Sequence, residues 1–301
     1  MAATEAMLAP ALIDRLSAMR FTPEGVRAVA GIGERVSRGR GSGMEFADFR
    51  AYRAGDDLRH VDPRSLMRGQ PLTREYMQRR QLSVTVVLDR TLSMTTGEGR
   101  KAELATGLAQ ALGFIALAGQ DRLRLVALEQ DGTVLRSPVW QGRNRATEMF
   151  AFSATSSSKA AGGTGPDALA TTIASLLPSA DSGSVIVLVS DFWGTDIADA
   201  LSRLAASPAM ILALQVLAAE ERDPALLGRG IMRLADAETG AERDISLDEE
   251  MLSRYRAALA SHQDKLAEAL SGGQHVFLPL GADEPLSAIC LEKLPATGVI
   301  S

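Results

Sequence analysis

Nearly all apolar, β-branched stretches alternate with amphipathic helical ones along most of the chain. This predicts an α/β protein: a doubly wound, mostly parallel sheet with a small N-terminal module and an inserted hairpin. Three observations carry that expectation. Leu82-Ser-Val-Thr-Val-Val-Leu-Asp89 and Ser184–Val189 are nearly all apolar, as strands buried on both faces of a parallel sheet must be. Between them, residues 101–118 repeat apolar side chains at intervals of three and four, the stripe of a helix that covers a sheet. Beyond them the alternation continues, with a helix at Ile197–Ala206 and a strand at Met210–Leu217.

In chain order, residues 7–30 read as one amphipathic helical segment interrupted at Phe21-Thr22-Pro23-Glu24, where Thr22 is placed to cap a helix that starts on proline. Residues 31–80 differ in kind. They hold 11 of the 28 arginines, no lysine and seven acids, a local charge of +4 against −9 for the remainder. Gly39-Arg-Gly-Ser-Gly43 and Ala54-Gly-Asp-Asp57 divide them into loops and edge strands. After the strand at 82–89 and the helix at 101–118, Arg122–Leu128 and Gly132–Val139 form a strand pair around Gln130-Asp-Gly132. A helix near Asn144–Phe152, a Ser/Ala/Gly-rich loop from Ala154 to Gly165 and a helix from Pro166 to Leu177 lead to the strand at 184–189. Past Leu217, Gly230–Leu234 and Glu242–Ile245 flank the turn Ala237-Glu-Thr-Gly240 as a hairpin. Ser246-Leu-Asp-Glu249 reads as a capping box opening a helix that Gly272-Gly273 ends. His275–Leu280 is the last strand and Glu284–Lys293 the last helix. The expected division is residues 1–80, a helical and arginine-rich module, and 81–301, the α/β domain with its hairpin near 228–246.

The 301 residues are 46% hydrophobic and 23% charged, with 27 Gly and 12 Pro, a composition that supports a globular core and excludes collagen, low-complexity disorder and a disulfide scaffold. A net charge of −5 supplies no basic field for nucleic acid. Within the basic segment, Arg50, Arg53, Arg59, Arg64 and Arg68 interleave with Glu45, Asp48, Asp56, Asp57 and Asp62, as either a structural salt-bridge network or a partner-binding surface. Gly39-x-Gly-x-Gly43 follows no strand and precedes no Gly-Lys-Ser/Thr, which argues against a phosphate loop. His60, His262 and His275 have no ligand spacing, so zinc is not expected; His60 is expected to hydrogen-bond its neighbouring acids. Cys290 lies in an apolar stretch and reads as a small buried thiol. No apolar run reaches the roughly 18 residues of a membrane span, and the start Met1-Ala-Ala-Thr-Glu5 is unlike a signal peptide, so no membrane span and a cytoplasmic location are expected.

Three polar clusters fall at the carboxyl ends of predicted strands or in loops facing them: Asp89-Arg-Thr91-Leu-Ser93, Gly162-Gly-Thr164 and Ser190-Asp191. That edge of an open α/β sheet is where ligands bind, because loops diverge there and helix N-termini point at it. Two carboxylates and three hydroxyls are hard oxygen donors of the kind that suits Mg²⁺. Asp89, Thr91 and Ser93 lie two apart, so an extended turn leaving the strand aims all three the same way. The same residues also read as local caps around a purely structural site.

Residues 82–191 resemble the von Willebrand factor type A domain with its metal-ion-dependent adhesion site, Asp-x-Ser-x-Ser followed by Thr and then Asp. Asp89, Thr91 and Ser93 match the first motif, Thr164 the second and Asp191 the third; Thr91 keeps the hydroxyl of the family's first Ser. Upstream, Ser37-x-x-x-Gly-Ser-Gly43-Met-Glu45-Phe46, Arg50-x-Tyr52 and Gly55-Asp-Asp57-Leu-Arg59-His-Val-Asp62 are similar to the block that precedes the type A domain in the domain-of-unknown-function 58 family. The similarity runs over residues 31–293, with Pro63 where that family usually has Trp. The resemblance implies that the hydroxyls and Thr164 hold Mg²⁺ (or Mn²⁺ or Ca²⁺) directly and the acids partly through water. An acidic group of a protein partner would complete the shell. It also implies a non-enzymatic interaction module working with a MoxR-type AAA+ ATPase in chaperone-like maturation of a protein complex. The alternatives are a Mg²⁺-dependent hydrolase or phosphatase and an empty structural site. For the hydrolase, Thr91 stands where an aspartyl phosphatase has its second Asp, and neither a nucleophile elbow nor a nearby His base is present. Trp193 either walls the metal site or contacts a partner, or else packs on the adjacent helix.

Overall fold

The computed structural model describes residues 8–22, 44–53, 59, 61–69, 71–78, 81–96, 98–155, 168–228, 230–235 and 242–301. The chain divides into two compact units, one of Ile32–Gln81 and one of Met1–Gly31 together with Leu82–Ser301. Helix α1 (Pro10–Leu16) opens on a proline, whose missing N–H costs nothing in a first turn. The chain then runs antiparallel to residues 298–301: Phe21 bridges Ile300, and the Arg20 N–H donates to Ser301 O at 2.8 Å. Leu8, Leu12, Leu16 and Phe21 belong to a core built mainly from residues beyond 82, which puts this segment in the larger unit and not in a module of residues 1–80. The Thr22 hydroxyl donates to Gly298 O at 2.9 Å, and the helix expected after Pro23 lies outside the described residues.

In the smaller unit, β1 (Met44–Ala51) and β2 (Leu72–Gln78) pair antiparallel as a two-stranded sheet, so both are edge strands as expected, and α2 (Pro63–Met67) is a short helix that was not expected. Pro63 occupies the first turn of α2, and the Asp62 carboxylate accepts from Ser65 N at 3.1 Å, so Asp-Pro here is a helix start. Both glycine-rich turns, His60 and the side chains of Glu45, Asp48 and Arg50 lie outside the described residues.

The larger unit is built on β3 (Ser83–Asp89), α3 (Arg100–Ala118), β4 (Arg122–Leu128), β5 (Val134–Arg136), β6 (Trp140–Gln141), α4 (Ala146–Ala154) and α5 (Ala168–Ala174). It continues through β7 (Ser184–Ser190), α6 (Ile197–Ala205), β8 (Met210–Leu217) and α7 (Ala219–Arg222). The last elements are β9 (Gly230–Ala235), β10 (Glu242–Leu247), α8 (Glu249–Ala269), β11 (Val276–Gly281) and α9 (Leu286–Ala288), which passes through a π turn at Ile289–Lys293 into α10 (Leu294–Ala296). The sheet order is β11-β8-β7-β3-β4-β5; the first five strands are parallel, and β5 and β6 pair antiparallel with β4. β9 and β10 form a separate antiparallel hairpin.

Period-two alternation sorts the strand side chains into two cores. Val84, Val86 and Leu88, with Val185, Val187 and Val189, face α3, α1 and the Ile289–Leu294 turn. Val87, Ile186 and Leu188 face α5, α6 and the end of α8. Each such side chain contributes about 1.5–3 kcal/mol when fully buried, which explains why β3 and β7 are mostly apolar before their last positions. Gly107 lets Leu286 pack close against α3, since a Cβ there would lie 2.8 Å from Leu286 Cδ2. Cys290 is buried, and that burial pushes its thiol up to about 12. Among the described residues, no helix is long and apolar enough to cross a membrane.

The start of α8 departs from the expected capping box. Ser246 lies in β10, and Asp248 caps the helix by accepting from Met251 N at 2.9 Å. Hairpin pairing extends two residues beyond Ile245 and carries Ser246 into the strand, so the next side chain able to cap takes the role. Asp248→Ala is expected to cost about 1 kcal/mol in urea denaturation, and Ser246→Ala much less. Equal losses would reject the assignment.

Candidate functional site

The site lies where the strand order reverses. From β3 the chain moves outward to β4, then returns to place β7 on the other side of β3, so the carboxyl ends of β3 and β7 are neighbours, with Leu88 opposite Val189. The crevice at such a switch point has no crossover helix above it. Asp89 and Ser190-Asp191 are the residues that emerge there.

A chain of hydroxyl donors converges on Asp89, which is only 3% exposed. Its Oδ1 accepts from Thr91 N at 2.9 Å and from Thr91 Oγ1 at 2.7 Å, and its Oδ2 accepts from Ser190 Oγ at 2.6 Å. Because Thr91 spends its proton on Asp89, the 3.1 Å contact between Ser93 Oγ and Thr91 Oγ1 has Ser93 as donor. The expected extended turn stops at Thr91; Leu92–Thr95 form a single 3₁₀ turn that brings Ser93 back over Thr91 and buries Met94 beneath it. Burial, and next the charge of Asp191, push the Asp89 carboxyl up to about 6 against the opposing hydrogen bonds from Ser190 and Thr91.

Asp191 is held from three directions. Its Oδ2 lies 2.8 Å from Lys101 Nζ, its Oδ1 accepts from Trp193 N at 3.3 Å, and its carbonyl accepts from Gln215 Nε2 at 3.0 Å. Lys101, in the first turn of α3, has no exposed surface and reaches Glu221 Oε1 at 2.8 Å, Ser93 O at 3.0 Å and Thr96 Oγ1 at 3.3 Å. Glu221 in α7 also accepts from Ala218 N at 2.8 Å. The backbone then turns at Phe192, fully buried with φ +56°, a conformation that costs a β-carbon residue of order 1–3 kcal/mol. His262 Nε2 donates to Phe192 O at 3.1 Å, and its ring stacks on Trp193 with centroids 5.0 Å apart. Trp193 therefore both packs on the adjacent helix and remains 36% exposed at the rim.

Arg90 guards the other flank. It pairs with the buried Glu129 at 2.8 Å and donates to the carbonyls of Phe152 (3.2 Å), Ser153 and Thr155, gripping the end of α4. Of the five residues expected at the site, Asp89, Thr91, Ser93 and Asp191 come together here, while Thr164 lies outside the described residues. Among the described residues no three His, Cys, Asp or Glu side chains are placed to hold a metal, so a cation here would depend on hydroxyls and water. Sequence reasoning placed Ser190 beside Asp191 without giving it a role, and missed Lys101, Glu221, Gln215 and Arg90. One signal was available: a lysine in the first turn of a mostly apolar helix, in a chain with only four lysines.

The family described as "Protein of unknown function DUF58" matches residues 48–265. Uncharacterized protein Rv1480 of Mycobacterium tuberculosis (strain ATCC 25618 / H37Rv) is 31% identical over 247 residues, covering 81% of this chain and 76% of its own length. Uncharacterized protein Mb1516 of Mycobacterium bovis (strain ATCC BAA-935 / AF2122/97) matches to the same extent. Among solved structures, the conserved hypothetical protein BatB from Bacteroides thetaiotaomicron is similar with a TM-score of 0.40 at 15% identity, over 72% of this chain and 98% of that one. An aerotolerance-related membrane protein from Bacteroides fragilis NCTC 9343 is similar with a TM-score of 0.43 at 15% identity, over the same shares. With that family match across most of its length, and relatives 31% identical over four-fifths of it, the chain belongs to the DUF58 family.

Proposed function

We propose that this protein is a non-enzymatic interaction module of the von Willebrand factor type A kind, whose carboxyl edge takes a divalent cation and, through it, an acidic side chain of a protein partner. One observation carries the reading. At the switch point, Asp89, Thr91, Ser93 and Asp191 present only hard oxygen donors, and the two carboxylates are close enough that the charge of Asp191 raises Asp89. Such a donor set fits Mg²⁺ or Mn²⁺, and a cation would relieve that like-charge repulsion. Thr91 and Ser93 would hold it directly, and Asp89 and Asp191 partly through water. The cation would supply a Lewis-acidic position for a partner's carboxylate.

The hydrolase alternative needs a base at the site. The histidine described beside Trp193, His262, instead stacks on that ring and spends Nε2 on a carbonyl. A MoxR-type AAA+ ATPase in the cytoplasm, acting in chaperone-like maturation of a protein complex, is the partner proposed from the family resemblance.

The test is a Mn²⁺ titration followed by electron paramagnetic resonance. Wild type is expected to bind, and Asp89→Ala to bind more weakly by at least the roughly 10- to 100-fold seen when a mere outer-shell partner is lost. Equal, negligible binding by both proteins would reject the cation. Pulldown with the ATPase encoded in the same genome tests the partner, with Asp191→Ala expected to lose it. Any phosphatase or peptidase turnover abolished by Asp89→Asn would make the protein an enzyme.

A further inference from the structure

We infer that Lys101 is a tethered cation that does for this site, in the absence of any metal, what a bound ion would do: it keeps the carboxylates at the switch point together and the surrounding loops folded. The inference rests on reading this edge as a cation site and adds how this chain holds it when no ion is bound. Lysine is almost never fully buried unless its charge is answered, because an ammonium taken out of water loses its hydration. Here the answer is complete. Nζ has no exposed surface and four oxygens at 2.8–3.3 Å, two of them carboxylate oxygens from Asp191 and Glu221, one a carbonyl and one a hydroxyl. That is an all-oxygen shell of the type a hard cation takes, formed around an ammonium.

The four oxygens come from three separate places in the fold. Ser93 and Thr96 follow β3, Asp191 follows β7, and Glu221 belongs to α7 beyond β8. Nζ thus joins loops that leave three parallel strands of the sheet. Nζ makes no hydrogen bond to Asp89 or to the hydroxyls of Thr91 and Ser93, whose contacts are with one another and with Ser190. Lysine and a divalent ion therefore occupy neighbouring positions and share Asp191. The charge count agrees: Asp89, Asp191 and Glu221 carry three negative charges when ionised and Lys101 one positive, leaving two for a divalent ion to meet.

Removing the ammonium without replacing its charge leaves Asp191 and Glu221 facing each other across an apolar stem, and a divalent cation then becomes the means of holding them. In thermal melts of the full chain, Lys101→Met is expected to fall by roughly 10 °C in EDTA and to recover at least half of that loss in millimolar Mg²⁺. Wild type, whose loops Lys101 already holds, is expected to gain less than half as much from Mg²⁺ as the variant does. The same ionic strength supplied as NaCl should not restore the variant. The inference is overturned if the variant melts alike with and without Mg²⁺, if NaCl restores it as well as Mg²⁺ does, or if wild type loses as much as the variant on chelation. Should Lys101→Met not fold, Lys101→Met/Glu221→Gln removes one of the two facing carboxylates; it is expected to fold and still gain from Mg²⁺ through Asp191, and no gain would overturn the inference. Failure here is distinguishable from failure of the proposed function. A wild type that binds no Mn²⁺, beside a variant that Mg²⁺ rescues, rejects metal-dependent adhesion and leaves the lysine's role standing.

Discussion

Asp89→Asn is expected to stabilise the metal-free protein by about 3 kcal/mol at pH 7.5 and to change it little near pH 4. The native carboxyl sits near 6 against an ordinary 3.8, chiefly because it is buried and secondarily because Asp191 is close. A raised native pKa means that the folded state holds the proton more tightly than the unfolded chain. The stabilisation from that proton is complete below about pH 4, fades as pH rises towards 6 and is gone above it. Asparagine cannot ionise, so the variant avoids the loss, and the gap between the two proteins opens across that window. Its carbonyl can still accept from Thr91, and its amide can donate to Ser190 Oγ, which now donates to Asp89 and accepts from Phe192 N. Urea denaturation in EDTA at a series of pH values checks this. A variant destabilised equally at both ends would show that the hydrogen bonds of Asp89 outweigh its burial. A site that costs stability until its ligand arrives is the usual trade between stability and function.

Arg90→Met is expected to lower stability by about 3–5 kcal/mol, or on the order of 10 °C in melting temperature. Glu129 is 1% exposed, and the variant leaves its carboxylate buried without the guanidinium 2.8 Å away. The variant also releases the carbonyls of Phe152, Ser153 and Thr155. Glu129→Gln should cost less, because a neutral amide carries a smaller desolvation penalty, and the double variant should be more stable than the sum of the two losses predicts. Strict additivity in that cycle would mean that the pair contributes no coupling. Hydrogen exchange should quicken first at residues 152–155, the end of α4 that Arg90 grips.

Much of the architecture was legible because the sheet is parallel and covered on both faces. A strand that buries both sides has no room for polar residues, so Ser83–Asp89, Ser184–Ser190 and Met210–Leu217 stand out in the sequence. The helix at 100–118 and the β9–β10 hairpin followed from equally local signals. Weaker local signals gave way to packing or to continued strand pairing. The segment at 8–22 joins the large core because Leu12 and Leu16 meet α3 there, and no property of residues 8–22 alone names that surface. The cap of α8 moved from Ser246 to Asp248 because strand pairing in β10 continued through Ser246.

The candidate site divides along the same line. Residue type and position were enough to single out Asp89, Thr91, Ser93 and Asp191, since polar side chains at the carboxyl ends of neighbouring parallel strands emerge at one edge of the sheet. Lys101, Glu221 and Gln215 were invisible, because the partners that bring them to the site lie up to 120 positions away along the chain and meet them only after the sheet has formed. By itself, then, the sequence determined the alternating elements, the parallel sheet and which oxygen donors reach its carboxyl edge, through local hydrophobic period and chain direction. Only the tertiary structure decided that an ammonium would be buried among those oxygens. The low dielectric and the convergence of three loops, which make Lys101 tolerable there, exist only in the folded chain.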